Sequence, residues 1–162
     1  MPEVINVKTS ELIVSHNDYT LRTGSVGSCV VIALYDSDNK IGGMAHSMLP
    51  TRKKGDIKEL ISFESGNTSA KYVDEAVENL IVGIKKNGGN TTSLVAKLVG
   101  GASMFRKLSN ITKSIGRINV QTAKDKLAEY GIKVESEDTG GSAGKVVNMN
   151  LTNGLVEVIT TL

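Results

Sequence analysis

At 162 residues, 40% of them hydrophobic, the chain is sized for one domain with a sizeable core, and residues 1–162 are expected to fold as a single unit. Nineteen Lys and Arg against 17 Asp and Glu leave a charge of +2, too small and dispersed to suggest nucleic acid, and 4% aromatics without tryptophan argue against stacking platforms. One cysteine excludes an internal disulfide, two histidines exclude the Cys/His cluster of structural zinc, and no apolar run approaches the roughly 20 residues of a membrane span.

Without a basic-then-apolar leader pattern at the N-terminus, the cytoplasm is the expected compartment, and it suits a free thiol. Short β-like pieces at 4–7 and 11–15 lead into an alternating segment at 19–23, with His16 and Asn17 reading as turn residues. Next comes a β-branched-rich strand at 29–35 and a second strand at 41–49, joined through Asp36-Ser37-Asp38-Asn39. If Ser37 and Asp38 form the tip, or Asp36 to Asn39 form a four-residue loop, Tyr35 faces Lys40 and Cys29 faces His46. Directly opposed residues have Cβ atoms roughly 4.5–5.5 Å apart, which brings an imidazole to a thiol. A three-residue loop would shift this pairing.

That proximity matters because a free thiol is mostly protonated at neutral pH, and a neighbouring imidazole can activate it. Thr23 is a candidate to accept a hydrogen bond from the imidazole if the intervening loop folds back. Gly27 and Ser28 are small enough to let backbone N–H groups near Cys29 face a developing oxyanion, and Gly42 and Gly43 are expected to leave substrate room opposite. As ordinary residues, Cys29 would be a small buried hydrophobe and His46 a strand histidine.

Residues 50–66 are polar with a basic run and read as a loop beside the site. The clearest helix spans 68–86, with Tyr72, Val73, Ala76, Val77, Leu80, Ile81 and Ile84 on one face and Asn87-Gly88-Gly89 as its stop. A strand at 94–99 precedes Gly100-Gly101-Ala102-Ser103-Met104-Phe105, where no phosphate-loop spacing follows and a tight turn beside the site is expected. Met104 and Phe105 fit either the core or a partner groove. A second helix is expected over 119–130 with Gly131 as its stop, then strands at 132–137, 145–151 and 155–160, the last two a hairpin around Asn153-Gly154. Hairpins with two intervening helices indicate an α+β fold in which helices cover a largely antiparallel sheet.

Taken together, Gly27-Ser28-Cys29-Val30, Lys40-Ile41-Gly42-Gly43-Met44-Ala45-His46, Met48-Leu49-Pro50, Lys71-Tyr72-Val73-Asp74-Glu75-Ala76, Gly100-Gly101-Ala102-Ser103-Met104-Phe105, Asp138-Thr139-Gly140-Gly141 and Asn153-Gly154-Leu155-Val156 occur in an order that closely resembles the chemoreceptor glutamine deamidase family, CheD. The chain differs from the family pattern at Gly24-Ser25-Val26, in having Ile118 between Arg117 and Asn119, and at Lys145. The resemblance implies a Cys29–His46–Thr23 triad, with Cys29 as nucleophile and His46 as base, and a fold akin to the deamidase domain of cytotoxic necrotizing factor, a layered α/β sandwich of sheets and helices. It also implies glutamine side chains of methyl-accepting chemotaxis receptors as substrates and the phosphatase CheC, linked to phosphorylated CheY, as regulator. Attack by a cysteine needs no cofactor or metal, and a methyl ester would meet the same nucleophile as an amide, so methylesterase activity is expected as a second reaction. The alternative from another class is a non-catalytic adaptor that binds receptors and CheC through Met104, Phe105 and the loop after Pro50.

Overall fold

The structure, a computed structural model, describes residues 3–52, 69–103 and 110–161. Their alternating apolar pattern folds into nine strands: β1 (Glu3–Asn6), β2 (Leu12–His16), β3 (Tyr19–Val26), β4 (Val30–Asp36), β5 (Ile41–Ser47), β6 (Val95–Gly100), β7 (Lys133–Thr139), β8 (Gly144–Asn150) and β9 (Val156–Thr161). Among the described residues, two α-helices, α1 (Val73–Lys86) and α2 (Asn110–Glu129), flank β6 in the chain. The strands divide between two sheets, ordered β1-β3-β8-β9 and β2-β5-β4-β6-β7. Pairing is antiparallel except for β1–β3 and β6–β7, so the expected α+β layering is present with its strands split over two sheets.

Strands β4 and β5 are buried along their whole length because both faces are covered. Successive side chains in a strand point to opposite faces. Ile32, Leu34, Ala45, Ala96 and Leu98 therefore pack under Val77, Leu80 and Ile84 of α1 and Ala123 and Leu127 of α2. Val31, Ala33, Tyr35, Met44 and Val99 face the other way, against Leu21, Val26, Val147, Met149 and Leu151 of the four-stranded sheet. The result is three layers: helices, five-stranded sheet, four-stranded sheet. Each fully buried Val, Leu or Ile contributes roughly 1.5–3 kcal/mol.

The β4–β5 hairpin differs from expectation in its register. Asp36 pairs with Ile41 and Val31 with His46, so Ser37 to Lys40 form the loop and Cys29 is not directly opposite His46. Asp36 causes the shift. Its buried carboxylate accepts hydrogen bonds from the N–H groups of Asp38 (3.0 Å) and Asn90 (2.7 Å) and from the Asn39 side chain (2.7 Å), which holds it as the last strand residue instead of the first loop residue. Lys40 completes the turn at a φ of 54°.

Helix α1 begins at Val73, later than expected, because Tyr72 is still extended and forms a parallel bridge with Leu49. Helix α2 begins at Asn110, nine residues before the expected start, and runs through Gly116. That glycine permits the helix to touch the chain after β6: a Cβ there would lie 2.6 Å from the Gly101 carbonyl oxygen and 2.7 Å from that of Ala102. Gly116→Ala is therefore expected to destabilise the protein by about 1–3 kcal/mol in urea unfolding. An unchanged or raised midpoint, as for Gly→Ala on an open helix face, would contradict this packing.

Candidate active site

His46 is held from both sides before its side chain does anything. On β5 it lies opposite Val31 of β4, and towards the other edge its N–H donates to Glu11 (3.0 Å) while its carbonyl accepts from Ser10 (2.8 Å). It shares a face with Met44, so the imidazole enters the gap between the two sheets, where it is fully buried. Thr23, buried on β3 of the opposite sheet, meets it there with Oγ1 2.7 Å from Nδ1.

The protonation of this contact follows from the third group present. The carbonyl oxygen of Val7 lies 2.7 Å from Thr23 Oγ1 and can only accept, so the single hydroxyl proton of Thr23 goes to Val7. Towards His46 the hydroxyl oxygen must then accept, which places the imidazole proton on Nδ1 and leaves Nε2 with its lone pair. Nε2 is buried and has no hydrogen-bond partner among the described residues. Burial lowers the His46 pKa to about 4, so the ring is neutral at physiological pH.

Cys29 comes just before β4, two positions from the residue opposite His46, which makes the two residues diagonal neighbours. Diagonal neighbours on a ladder are still within reach of long side chains. The thiol is half-buried; burial pushes its pKa up, and its own backbone N–H offsets part of that by favouring the thiolate. Three hydrogen bonds, two from the segment after β6 and one from α2, hold the backbone around it. The Gly27 carbonyl accepts from Ala102 N–H (2.9 Å), the Cys29 carbonyl from Gly101 N–H (2.7 Å), and the Ser28 carbonyl from Asn119 Nδ2 (2.9 Å). Gly100, at a φ of 112°, has no room for a Cβ against the Cys29 carbonyl, so the expected tight turn of Gly100-Gly101 does lie beside the cysteine.

The other candidates separate clearly. Gly27 and Ser28 lie in the half-buried segment leading to Cys29, where their backbone is tied as described. Gly42 and Gly43 leave no substrate room. A Cβ on Gly42 would lie 2.8 Å from the Leu34 carbonyl oxygen and 2.9 Å from Leu151, and one on Gly43 would lie 2.8 Å from Leu80. They let the neighbouring layers close on β5. Met104 and Phe105 lie outside the described residues. His16 ends β2 on the surface, with its ring edge-to-face on Tyr19 at 5.3 Å. Asn119, fully buried on α2, was not among the expected residues. Its Nδ2 also donates to Met48 (3.0 Å), just beyond β5.

A hollow of about 340 Å³ opens beside Thr23, with Lys8 and Arg22 in its wall, and another of about 300 Å³ lies beside Gly101, lined in part by Arg117 and Gly140. Cys29 lines neither. Among the described residues, no His, Cys, Asp and Glu side chains group so as to hold a metal ion. No described helix is long and apolar enough to cross a membrane.

Comparison with known proteins places these elements in a family. The family model for CheD chemotactic sensory transduction matches residues 48–160. The chain belongs to the CheD family. A probable chemoreceptor glutamine deamidase CheD from Methanococcus vannielii is 39% identical over 155 residues, covering 96% of this chain and 94% of its own. The chemoreceptor glutamine deamidase CheD of Halalkalibacterium halodurans is 39% identical over 151 residues, covering 93% and 89%. A probable CheD 1 of Methanosarcina acetivorans is 34% identical over 161 residues, covering 99% of this chain and 94% of its own, so that CheD alignment spans Thr23, Cys29 and His46 as well.

Because the folded pKa of His46 lies below its ordinary value of about 6.5, the unfolded chain binds its proton first as pH falls. The stability tied to a neutral His46 is complete above about pH 6.5, declines as pH falls towards about 4, and changes no further below that. The total is on the order of 3 kcal/mol. In chemical unfolding across this range, the wild type should lose more stability than His46→Gln. Equal losses would contradict the burial of a neutral ring.

Proposed function

We propose that this protein hydrolyses the side-chain amide of glutamine residues on methyl-accepting chemotaxis receptors, with Cys29 as nucleophile, His46 as base and Thr23 as the group that orients His46. The observation that carries the reading is the Thr23–His46 hydrogen bond, which leaves an unprotonated Nε2 diagonal to the only cysteine, in a chain whose relatives are named chemoreceptor glutamine deamidases. A half-buried cysteine that lines neither hollow suits a side chain presented by a macromolecule better than an enclosed small molecule.

With the ring neutral and the thiol pKa raised, the pair starts as thiol and imidazole, not as thiolate and imidazolium. Nε2 takes the S–H proton while sulfur bonds to the carboxamide carbon and the C=O electron pair moves onto oxygen. Collapse of the oxyanion breaks the C–N bond, and the imidazolium returns its proton to the leaving nitrogen, which departs as ammonia. Water then adds to the thioester and gives a proton to Nε2. The second collapse breaks the C–S bond, the sulfur takes the proton back, and a glutamate carboxyl remains.

A methyl ester at the same carbon would follow these steps with methanol leaving, so methylesterase activity belongs to the same proposal. CheC is proposed as the regulating partner on family resemblance alone, and the adaptor alternative keeps the partners but not the reaction.

Mass spectrometry of a receptor cytoplasmic fragment incubated with the protein tests the reading. Wild type should convert receptor glutamine to glutamate. Cys29→Ala and His46→Ala should lower the rate by about 10³-fold or more. Unmodified glutamine with active wild-type preparations would leave the adaptor, and full activity in Cys29→Ala would remove the nucleophile.

A further inference from the structure

Asn119 is a fully buried side chain whose bonding is one-sided. Both of its Nδ2 hydrogens go to carbonyls of separate segments: Ser28, immediately before Cys29, and Met48, two residues after His46. Its Oδ1 is buried with no hydrogen-bond partner among the described residues. An amide retained at this position despite an unsatisfied acceptor points to a need for its donors.

The Ser28 carbonyl and the Cys29 N–H belong to one peptide unit, and there are no cis peptide bonds. In a trans peptide the two groups point in opposite directions. Drawing the Ser28 carbonyl towards α2 therefore turns the Cys29 N–H away from it, and this is the N–H close enough to the sulfur to favour the thiolate. The bonds from Ala102 to the Gly27 carbonyl and from Gly101 to the Cys29 carbonyl fix the peptides on either side, so the Ser28–Cys29 unit cannot rotate independently.

We infer that Asn119 is a positioning residue: by holding the Ser28 carbonyl, it keeps the backbone N–H of Cys29 turned as a donor to the oxyanion that forms when Cys29 attacks a carbonyl. The inference rests on Cys29 being the nucleophile of the proposed reaction. Its bond to Met48 ties the same side chain to the end of the strand that carries His46, so one residue sets the donor and helps fix the register between nucleophile and base.

Two reactions of Cys29 separate this role from a general structural one. Alkylation by iodoacetamide forms an S–C bond with loss of iodide and creates no oxyanion. Acylation by p-nitrophenyl acetate passes through a tetrahedral oxyanion before p-nitrophenolate leaves. In Asn119→Ala and Asn119→Asp, alkylation at a pH where the thiol is fully ionised should keep its rate to within about twofold, while acylation at the same pH falls by about tenfold or more. Deamidation of the receptor fragment should lose kcat with little change in KM.

Parallel loss of alkylation and acylation, or loss of neither, would overturn the inference. If wild type acylates yet leaves receptor glutamine untouched, the proposed substrate falls while the acylation-to-alkylation ratio still decides the role of Asn119. If neither variant folds, the wild type decides by NMR: the Cys29 amide resonance should shift strongly when a glutamine-derived aldehyde forms its hemithioacetal, and an unmoved resonance would overturn the assignment.

Discussion

The hydrogen bond between Thr23 and His46 joins the two sheets inside a gap that is otherwise filled by Val31, Met44, Leu21, Val147 and Met149. A polar pair survives there because each member is satisfied in sequence: Nδ1–H donates to the threonine oxygen, and the threonine hydroxyl donates to the Val7 carbonyl. The chain of bonds runs one way only, so it sets the tautomer of the imidazole as well as its orientation. Packing thus delivers a chemical state, a neutral ring with its lone pair on Nε2, the nitrogen without a partner among the described residues.

Cys29, the proposed nucleophile, is placed by other means. Among the described residues, no side chain hydrogen-bonds to Cys29 itself. Its segment is held through backbone carbonyls by Gly101 and Ala102, which follow β6, and by Asn119 of α2. Those contacts depend on close approach of main chains, which is why Gly100 faces the Cys29 carbonyl and Gly116 faces the Gly101 and Ala102 carbonyls with no space for a Cβ. The helix layer therefore reaches the active segment through the tail of β6, and damage at Gly116 would propagate to Cys29 without touching it. A second polar link between the sheets, from Lys145 on β8 to Asp138 on β7, is anchored next to the same turn.

Much of this was legible in the residues. Strand positions, the glycine turn beside the cysteine, the closing hairpin and the α+β class all follow from alternation and turn chemistry, and the ordered motifs pointed to the family that the comparisons show. The hairpin register was misread because Asp36 looks like a turn residue by type. Only its set of hydrogen bonds, including one from Asn90 more than fifty positions away, keeps it in the strand. Gly42 and Gly43 suggested open space because sequence cannot distinguish a glycine that faces substrate from one that faces Leu80 or Leu151. Asn119 drew no role because the expected helix starts at it, whereas the helix begins at Asn110 and buries it in mid-course.

The tautomer of His46 is the point on which the reading of the site turns, and it can be observed without substrate or partner. Long-range ¹H–¹⁵N correlation of the imidazole in the wild-type protein should show Nδ1 protonated and Nε2 bare at neutral pH, with the pattern persisting until pH approaches about 4. A proton on Nε2, or an imidazolium ring at neutral pH, would contradict it.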